Sequence, residues 1–93
     1  MPEMRFRIRW PDGRLETCYS PSFIVKDYLV EGESYALADF LDRSRVALSM
    51  ASERVRAKYG RPCPRALGEL ARLEMMARVY TPETRVKLET SEP

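Results

Sequence analysis

The chain has 93 residues, of which 44% are apolar and 32% are charged, and its formal net charge is +2. This balance supports one compact domain and leaves no room for a second, and the charge is too small to imply a nucleic-acid partner by itself. The longest apolar runs, at 23–25 and 75–77, are far shorter than the ~20 residues that a membrane helix needs. Residues 1–10 alternate charged and apolar types instead of forming a signal-peptide core, so we predict a cytoplasmic protein without membrane association.

A β-hairpin is predicted at the start of the chain. Apolar residues alternate there with Arg5, Arg7 and Arg9, which is the period of a strand with one buried face. A turn at 11–13 then leads into a partner strand over 14–20.

The register of this hairpin decides which side chains share the outer face of the sheet. A three-residue loop with a bulged Gly13 would mix apolar and charged faces, so we predict an even-length loop. The expected opposite pairs are Trp10 and Leu15, Ile8 and Thr17, Phe6 and Tyr19, and Arg9 and Glu16. With a final strand at 85–89, the outer face is predicted to carry Arg5, Arg7, Arg9, Glu16, Cys18, Arg85, Lys87 and Glu89.

A long helix forms the centre of the predicted fold. Residues 23–36 suit either short strands or a single helical turn, and they remain an ordered connection. Apolar residues at steps of three and four then predict a helix over 37–59, with Ser34 as its best side-chain cap and Gly60 at its end.

A second helix and a last strand complete the predicted elements. The helix runs from Pro64 to about residue 78; Gly68 inside it costs about 1 kcal/mol relative to Ala, which is tolerable if it permits a close helix approach. A strand over 85–89 and a loose tail over 90–93 follow. We predict one α+β domain over 1–89, in which both helices pack on one face of a three-stranded sheet.

Several stretches of the chain resemble a known family. They are MPEMRFRIRWPDG at 1–13, CYSPS at 18–22, KDY at 26–28, and ASERVRAKYG at 51–60 followed by Cys63. They are similar to a family of small bacterial proteins named for a nitrogen-starvation response, and the similarity covers nearly the whole chain. That family has no assigned enzymatic activity. Its genes occur in clusters with a nitrilase, a radical-SAM protein, an acetyltransferase and a flavoprotein, so the resemblance implies a supporting role in nitrogen metabolism and gives no residue a function.

The first candidate binding surface is a basic segment around the end of the long helix. It consists of Arg54, Arg56, Lys58, Tyr59, Arg61 and Arg65. It could hold an anion or a phosphate backbone. The alternative is that these side chains solvate the helix and complement the negative end of its dipole.

The second candidate surface is the outer sheet face with Arg5, Arg7 and Arg9. An RNA-binding sheet stacks bases on aromatic rings, and the predicted register leaves no ring beside these arginines. We therefore expect this face to be solvated or covered by a partner protein.

The third candidate is a reactive thiol at Cys63, which lies between two prolines at the start of a helix. The helix N-terminus, Arg61 and Arg65 could favour its thiolate. The chain has no His to act as a base, and two cysteines without His exclude an ordinary zinc site within one chain. We predict no metal and no cofactor.

These observations favour a small non-catalytic accessory or protein-interaction module that binds a protein partner or itself. A homodimer is plausible because the second helix, with Met75 and Met76, has more apolar positions than one stripe needs. The alternatives are a nucleic-acid or anionic-ligand binding regulator that uses residues 54–65, and a thiol redox sensor at Cys63.

Overall fold

In the computed structural model, which describes residues 3–92, four strands form one antiparallel sheet with the helices on one face. The strands are β1 (Met4–Arg9), β2 (Leu15–Ser20), β3 (Ser34–Ala36) and β4 (Arg85–Glu92), in the spatial order β2, β1, β4, β3. The helices are α1 (Val25–Tyr28), α2 (Leu37–Tyr59) and α3 (Pro64–Ala77). The predicted α+β fold is confirmed, with four strands in the sheet instead of three.

The β1–β2 hairpin has the bulged three-residue loop that the sequence pattern disfavours. The Gly13 N–H donates to the Trp10 carbonyl over 2.8 Å, and the Trp10 N–H donates to the Arg14 carbonyl over 2.9 Å. Gly13 has a φ of 92°, which glycine adopts without a steric penalty. The observed pairs are Arg9 and Leu15, Ile8 and Glu16, Arg7 and Thr17, Phe6 and Cys18, Arg5 and Tyr19, and Met4 and Ser20. The predicted register is therefore wrong by one residue.

This shift exchanges the two faces of β2. Glu16 and Cys18 were predicted to point outward but lie on the helix side, whereas Thr17 and Tyr19 share the outer face with the arginines of β1. The charge of Glu16 is tolerated there because its Oε1 accepts a hydrogen bond of 2.9 Å from Trp10 Nε1.

The connection over 23–36 contains both kinds of structure that its sequence allows. Residues 25–28 form the single turn of α1, and Gly32 turns the chain at a φ of 87°. β3 follows and pairs with β4, with Tyr35 opposite Val86. A strand of three residues is too short for its alternation to be recognised in the sequence.

The start of α2 is capped by backbone carbonyls and not by a side chain. Ser34, the predicted cap, lies in β3, and Ala36 occupies the N-cap position. The N–H groups of Leu37 and Ala38 instead donate to carbonyls in the loop before β4, over 2.7 and 3.1 Å. The tertiary fold therefore satisfies amides that are usually satisfied by a local Ser, Thr, Asp or Asn.

The two long helices form an antiparallel layer over the sheet. α2 has the predicted bounds and ends at Gly60, which has a φ of 86°. Arg45 of α2 pairs with Glu74, near the end of α3, over 3.0 Å. Near the other end of α2, Ser52 Oγ accepts a 3.1 Å hydrogen bond from the N–H of Cys63, which directly precedes α3.

β4 is longer than the sequence predicts. It continues to Glu92, so residues 90–92 of the predicted loose tail belong to the sheet, and Pro93 lies outside the described residues. The register with β1 shifts at Arg7, which faces Thr90. Glu89 is the extra residue of this bulge.

The core between the layers is built around Trp10, which is 1% exposed. Its ring makes an edge contact with Phe40 of α2 at 6.1 Å and stacks on Tyr80 at 5.6 Å between ring centroids. Apolar residues of β1, β4, α2 and α3 close around these rings in one cluster. The same core therefore supports both the sheet and the helical layer.

Candidate functional site

The outer face of the sheet carries a row of exposed arginines on β1. Arg5, Arg7 and Arg9 alternate with buried residues, as predicted, and β1 lies between β2 and β4. Successive members of the row are about 7 Å apart along the strand. Arg7 is the middle member, and its opposite residues are Thr17 on β2 and Thr90 on β4.

The charges of this row are neutralised unequally. Arg9 pairs with Glu89 over 3.3 Å, and the same carboxylate accepts Lys87 over 3.3 Å. The hydrogen bond from Lys87, helped by Arg9, holds the pKa of Glu89 below its ordinary value. The ion pair of Arg5 with Glu3 is long, at 3.9 Å. Among residues 3–92, Arg7 has no acidic partner.

The corrected register brings Tyr19 to this face, where no aromatic ring was predicted. The Arg5 guanidinium lies 5.9 Å from the centroid of its ring, and the Arg65 guanidinium lies 3.8 Å from it. Burial raises the pKa of Tyr19. At the loop end of β2, Leu15 is 41% exposed. The outer face thus combines free charge with a small amount of apolar and aromatic surface.

The structure does not bring the predicted basic segment together into one patch. Arg54 donates to Ser22 Oγ over 3.0 Å on one side of α2, while Arg56 pairs with Glu53 over 3.4 Å on another. Two residues along a helix rotate the direction of the side chain by about 200°, which separates these two guanidinium groups.

The other members of the segment also point to different surroundings. Arg65 lies on Tyr19 at the edge of the sheet, Lys58 contacts its neighbour Tyr59, and Arg61 is exposed. The positions of these residues along the helix already indicate that their side chains point in different directions.

Both cysteines are buried free thiols. Cys63 is 9% exposed and occupies the N-cap position of α3, where its N–H is bound by Ser52. Burial, with the carboxylate of Glu69 nearby, raises the pKa of the Cys18 thiol far above its ordinary value. A redox role for Cys63 stays a prediction, and its burial disfavours direct access by an oxidant.

A half-buried polar network that sequence analysis missed joins α3 to β2. Arg72 pairs with both Glu16 and Glu69, and its Nε lies 2.7 Å from Glu69 Oε1. Glu69 Oε2 accepts a hydrogen bond of 3.0 Å from the N–H of Tyr19 on the open edge of β2. Burial raises the pKa of Glu69 and lowers that of Arg72. The three-residue spacing of Glu69 and Arg72 was the one available signal in the sequence.

Comparison with known proteins identifies the family. Residues 5–91 match the family described as nitrogen starvation-induced protein NitG. The chain belongs to the NitG family. This confirms the resemblance that the sequence motifs indicate, and it covers β1 through nearly the whole of β4. No curated protein and no solved structure matches this NitG-family chain.

The NitG-family fold also has a shallow apolar groove of about 220 Å³ between the start of α2 and the end of α3. It is lined mainly by Leu37, Ala38, Leu41, Ala77, Tyr80 and Pro82. Within the part of the chain that the structure describes, no three His, Cys, Asp or Glu residues are arranged to hold a metal ion. Nor is any helix within residues 3–92 both long and apolar enough to cross a membrane.

Proposed function

We propose that this chain is a non-catalytic accessory protein that binds an acidic surface of a partner protein through the outer face of its sheet, in cells responding to nitrogen starvation. The observation that carries the proposal is Arg7. It lies in the middle of the uncovered face and has no acidic partner among residues 3–92. A central, unneutralised guanidinium is suited to a carboxylate that another molecule supplies.

The surroundings of Arg7 favour directed binding. The strand holds Arg5 and Arg9 at fixed distances on either side, so a partner with spaced carboxylates meets a preformed row. Thr17 and Thr90 add hydroxyl groups that donate or accept hydrogen bonds next to the guanidinium. Side chains on a sheet lose less freedom on binding than those on a mobile loop.

Two features favour a protein over a nucleic acid as the partner. The Tyr19 ring, which would otherwise stack on a base, has the Arg65 guanidinium 3.8 Å from its centroid. Leu15 offers exposed apolar surface at the loop end of the face. Arginine combined with aromatic and aliphatic surface is typical of protein interfaces.

The polar network supports a binding role without catalysis. Glu16 and Glu69, the two half-buried acids that most resemble a catalytic pair, both hold Arg72 and thereby fix α3 to β2. Their remaining oxygens accept hydrogen bonds from Trp10 and from the backbone of Tyr19. Groups engaged in this way contribute to stability and are not free to act on a substrate.

The test is a pull-down from nitrogen-starved cells with three tagged proteins: the unchanged chain, Arg7→Glu and Arg61→Glu. Arg61 is exposed on the basic segment, so its reversal changes net charge by the same amount away from the sheet face. We expect a stoichiometric protein partner with the unchanged chain and with Arg61→Glu. Arg7→Glu should lower its recovery about tenfold or more, since reversal turns attraction into repulsion.

Two outcomes of the pull-down would contradict the proposal. Equal recovery with Arg7→Glu and the unchanged chain contradicts the use of the sheet face. Loss with Arg61→Glu alone assigns binding to the basic segment. Circular dichroism of each variant verifies that the fold is intact.

A second candidate function is binding of nucleic acid or another anionic ligand at the same face. It is favoured by the exposed arginine row of β1, whose middle member, Arg7, has no acidic partner among residues 3–92. A labelled single-stranded oligonucleotide should then bind with an affinity that falls steeply with salt, and Arg7→Glu should weaken binding. Binding that is unaffected by Arg7→Glu excludes this function for the sheet face.

A further inference from the structure

The outward side of α3 is an unpartnered apolar surface, which we call the α3 face. It consists of Pro64, Leu67, Gly68, Ala71 and Met75, and continues past the helix end to Val79. Every one of these residues is exposed, with Leu67 at 43%, Met75 at 65% and Val79 at 78%. A surface helix normally carries charged and polar residues on its outward side. An apolar stripe in that position is typical of an interaction site.

The charged residues of α3 lie on its flanks and not on this face. Arg72 and Glu69 point to β2, where they form the polar network, and Glu74 points to Arg45 of α2. The sequence predicted that Met75 and Met76 contact another chain. Met76 packs against the core, and Met75 is largely exposed. From Pro64 to Met75 the α3 face is therefore apolar or small over about three helical turns, and Arg78 lies at its end.

Gly68 in the middle of the α3 face has no explanation within the chain. A Cβ atom at this position would meet nothing within 4 Å. Glycine inside a helix costs about 1 kcal/mol relative to alanine, so its use here is unfavourable for the chain alone. The usual benefit of such a glycine is the close approach of another backbone, and no other part of residues 3–92 makes that approach.

We propose that a second copy of this chain covers the α3 face, through antiparallel packing of the two α3 helices about a two-fold axis. In a two-fold interface, residue i contacts residue j and j contacts i. With the axis between residues 71 and 72, Met75 of each copy lies over Gly68 of the other, where the missing side chain leaves room. Val79 of each copy then meets Pro64 of the other. The face thus contains both the projecting and the receiving residues.

Shape and not charge selects this arrangement. Glu53, near the start of α3, already pairs with Arg56 over 3.4 Å. Arg78, which directly follows α3, is placed opposite Arg65 of the other copy, whose guanidinium lies on Tyr19. The fit of Met75 on Gly68 therefore carries the proposed packing.

The size of the face limits the strength of the dimer. α3 is about 21 Å long and about 10 Å wide, so it covers about 200 Å² per copy, far below the roughly 800 Å² of a standard interface. We therefore expect a weak dimer that forms as the protein concentration rises.

Sedimentation equilibrium over a concentration series tests this proposal with the whole chain. The unchanged protein should pass from its monomer mass of 10.8 kDa toward twice that mass. Met75→Glu should remain monomeric at every concentration, because it places two charges in an apolar contact. Val30→Glu is the matched control, since Val30 is 51% exposed but lies beyond α1. It should associate like the unchanged protein.

A mixture tests the register. Gly68→Lys alone should be monomeric, and mixing it with Met75→Glu should restore association, because the two new charges face each other in the proposed packing. An unchanged protein that is monomeric throughout, or a Met75→Glu variant that still dimerises, overturns the proposal. Failure of the mixture to associate overturns the antiparallel arrangement. Arg7→Glu should dimerise normally, so this result is independent of the function proposed for the sheet face.

Discussion

The two uncovered surfaces of the molecule, the outer sheet face and the α3 face, are equally open and chemically opposite. The arginines of the sheet face are hydrated, so their exposure costs the folded chain little free energy. The α3 face leaves Leu67, Met75 and Val79 in water, at a cost of about 25 cal/mol for each Å² of apolar surface that packing would otherwise bury. A charged face can remain without a partner, whereas an apolar helix face gains stability when a partner covers it. Binding at the sheet face should therefore respond to charge reversal and salt, and self-association through the α3 face should respond to protein concentration.

The largest expected effect is a loss of stability that disrupts both surfaces, because one core supports the sheet and the helices. Trp10→Ala deletes the ring between Phe40 and Tyr80, and should cost about 3–5 kcal/mol of unfolding free energy. Urea denaturation measures this loss. Tyr80→Phe is the control, since it keeps the ring and loses only exposed hydrogen bonds of the hydroxyl group, which donates to Asp12 over 2.9 Å and accepts from Arg14 over 3.3 Å. Similar losses for the two variants would refute a shared core centred on Trp10.

A smaller loss of stability is expected from a change in the β1–β2 hairpin, which should leave the α3 face unaffected. Gly13→Ala places a side chain at a φ of 92°, and should destabilise the protein by about 1–2 kcal/mol. Its effect should be confined to β1 and β2, so the folded variant should self-associate through α3 as before. Chemical denaturation and sedimentation measure the two quantities. Unchanged stability would argue against the bulged loop and the register that follows from it.

Gly68→Ala should change two properties of the protein in opposite directions. Since the added Cβ meets nothing within 4 Å among residues 3–92, the monomer should gain about 1 kcal/mol from the better helix propensity, a rise in Tm of roughly 4–8 °C. Self-association should weaken, because the methyl group holds the two helices apart. Thermal denaturation at low concentration and sedimentation at high concentration check both effects. A more stable monomer with unchanged association would assign Gly68 no role in packing between copies.

The smallest effect concerns the charge balance of the sheet face. The contacts of Lys87 and Arg9 lower the folded pKa of Glu89 below its unfolded value of 4.5. Their stabilising contribution is therefore present above about pH 4.5 and is lost as the pH falls through the lower folded pKa. NMR titration of the Glu89 carboxyl should give a midpoint below 4.5, and Lys87→Ala should move it toward 4.5. An identical midpoint in both proteins would mean that Lys87 leaves Glu89 unaffected.

Local patterns in the sequence predict the helices far better than the sheet. The bounds of α2 follow from its apolar period and from Gly60, and the start of α3 follows from Pro64, because these signals lie within the element that they define. Strand order and the presence of β3 depend on which distant segment supplies the partner, so a local pattern contains neither.

The hairpin register was wrong for a different reason. The alternation of Leu15, Thr17 and Tyr19 indicated a buried phase, but a charged Glu16 is acceptable inside when Trp10 and Arg72 bind it. That compensation comes from Trp10 and from α3, so it cannot be read from β2. The arginine row on β1 was predicted correctly because its alternation lies within one strand.

One NMR experiment with two titrations of the labelled chain tests most directly whether the two surfaces have distinct roles. Polyglutamate, which stands in for an acidic protein surface, should shift the amides of residues 5–9, Thr17 and Thr90 in a dilute sample. Raising the concentration of the chain alone should shift the amides of residues 64–79. Two separate sets of shifted residues are the predicted result. Polyglutamate shifts that concentrate at residues 54–61, or one set of residues that responds to both titrations, would contradict the assignment of distinct roles to the two surfaces.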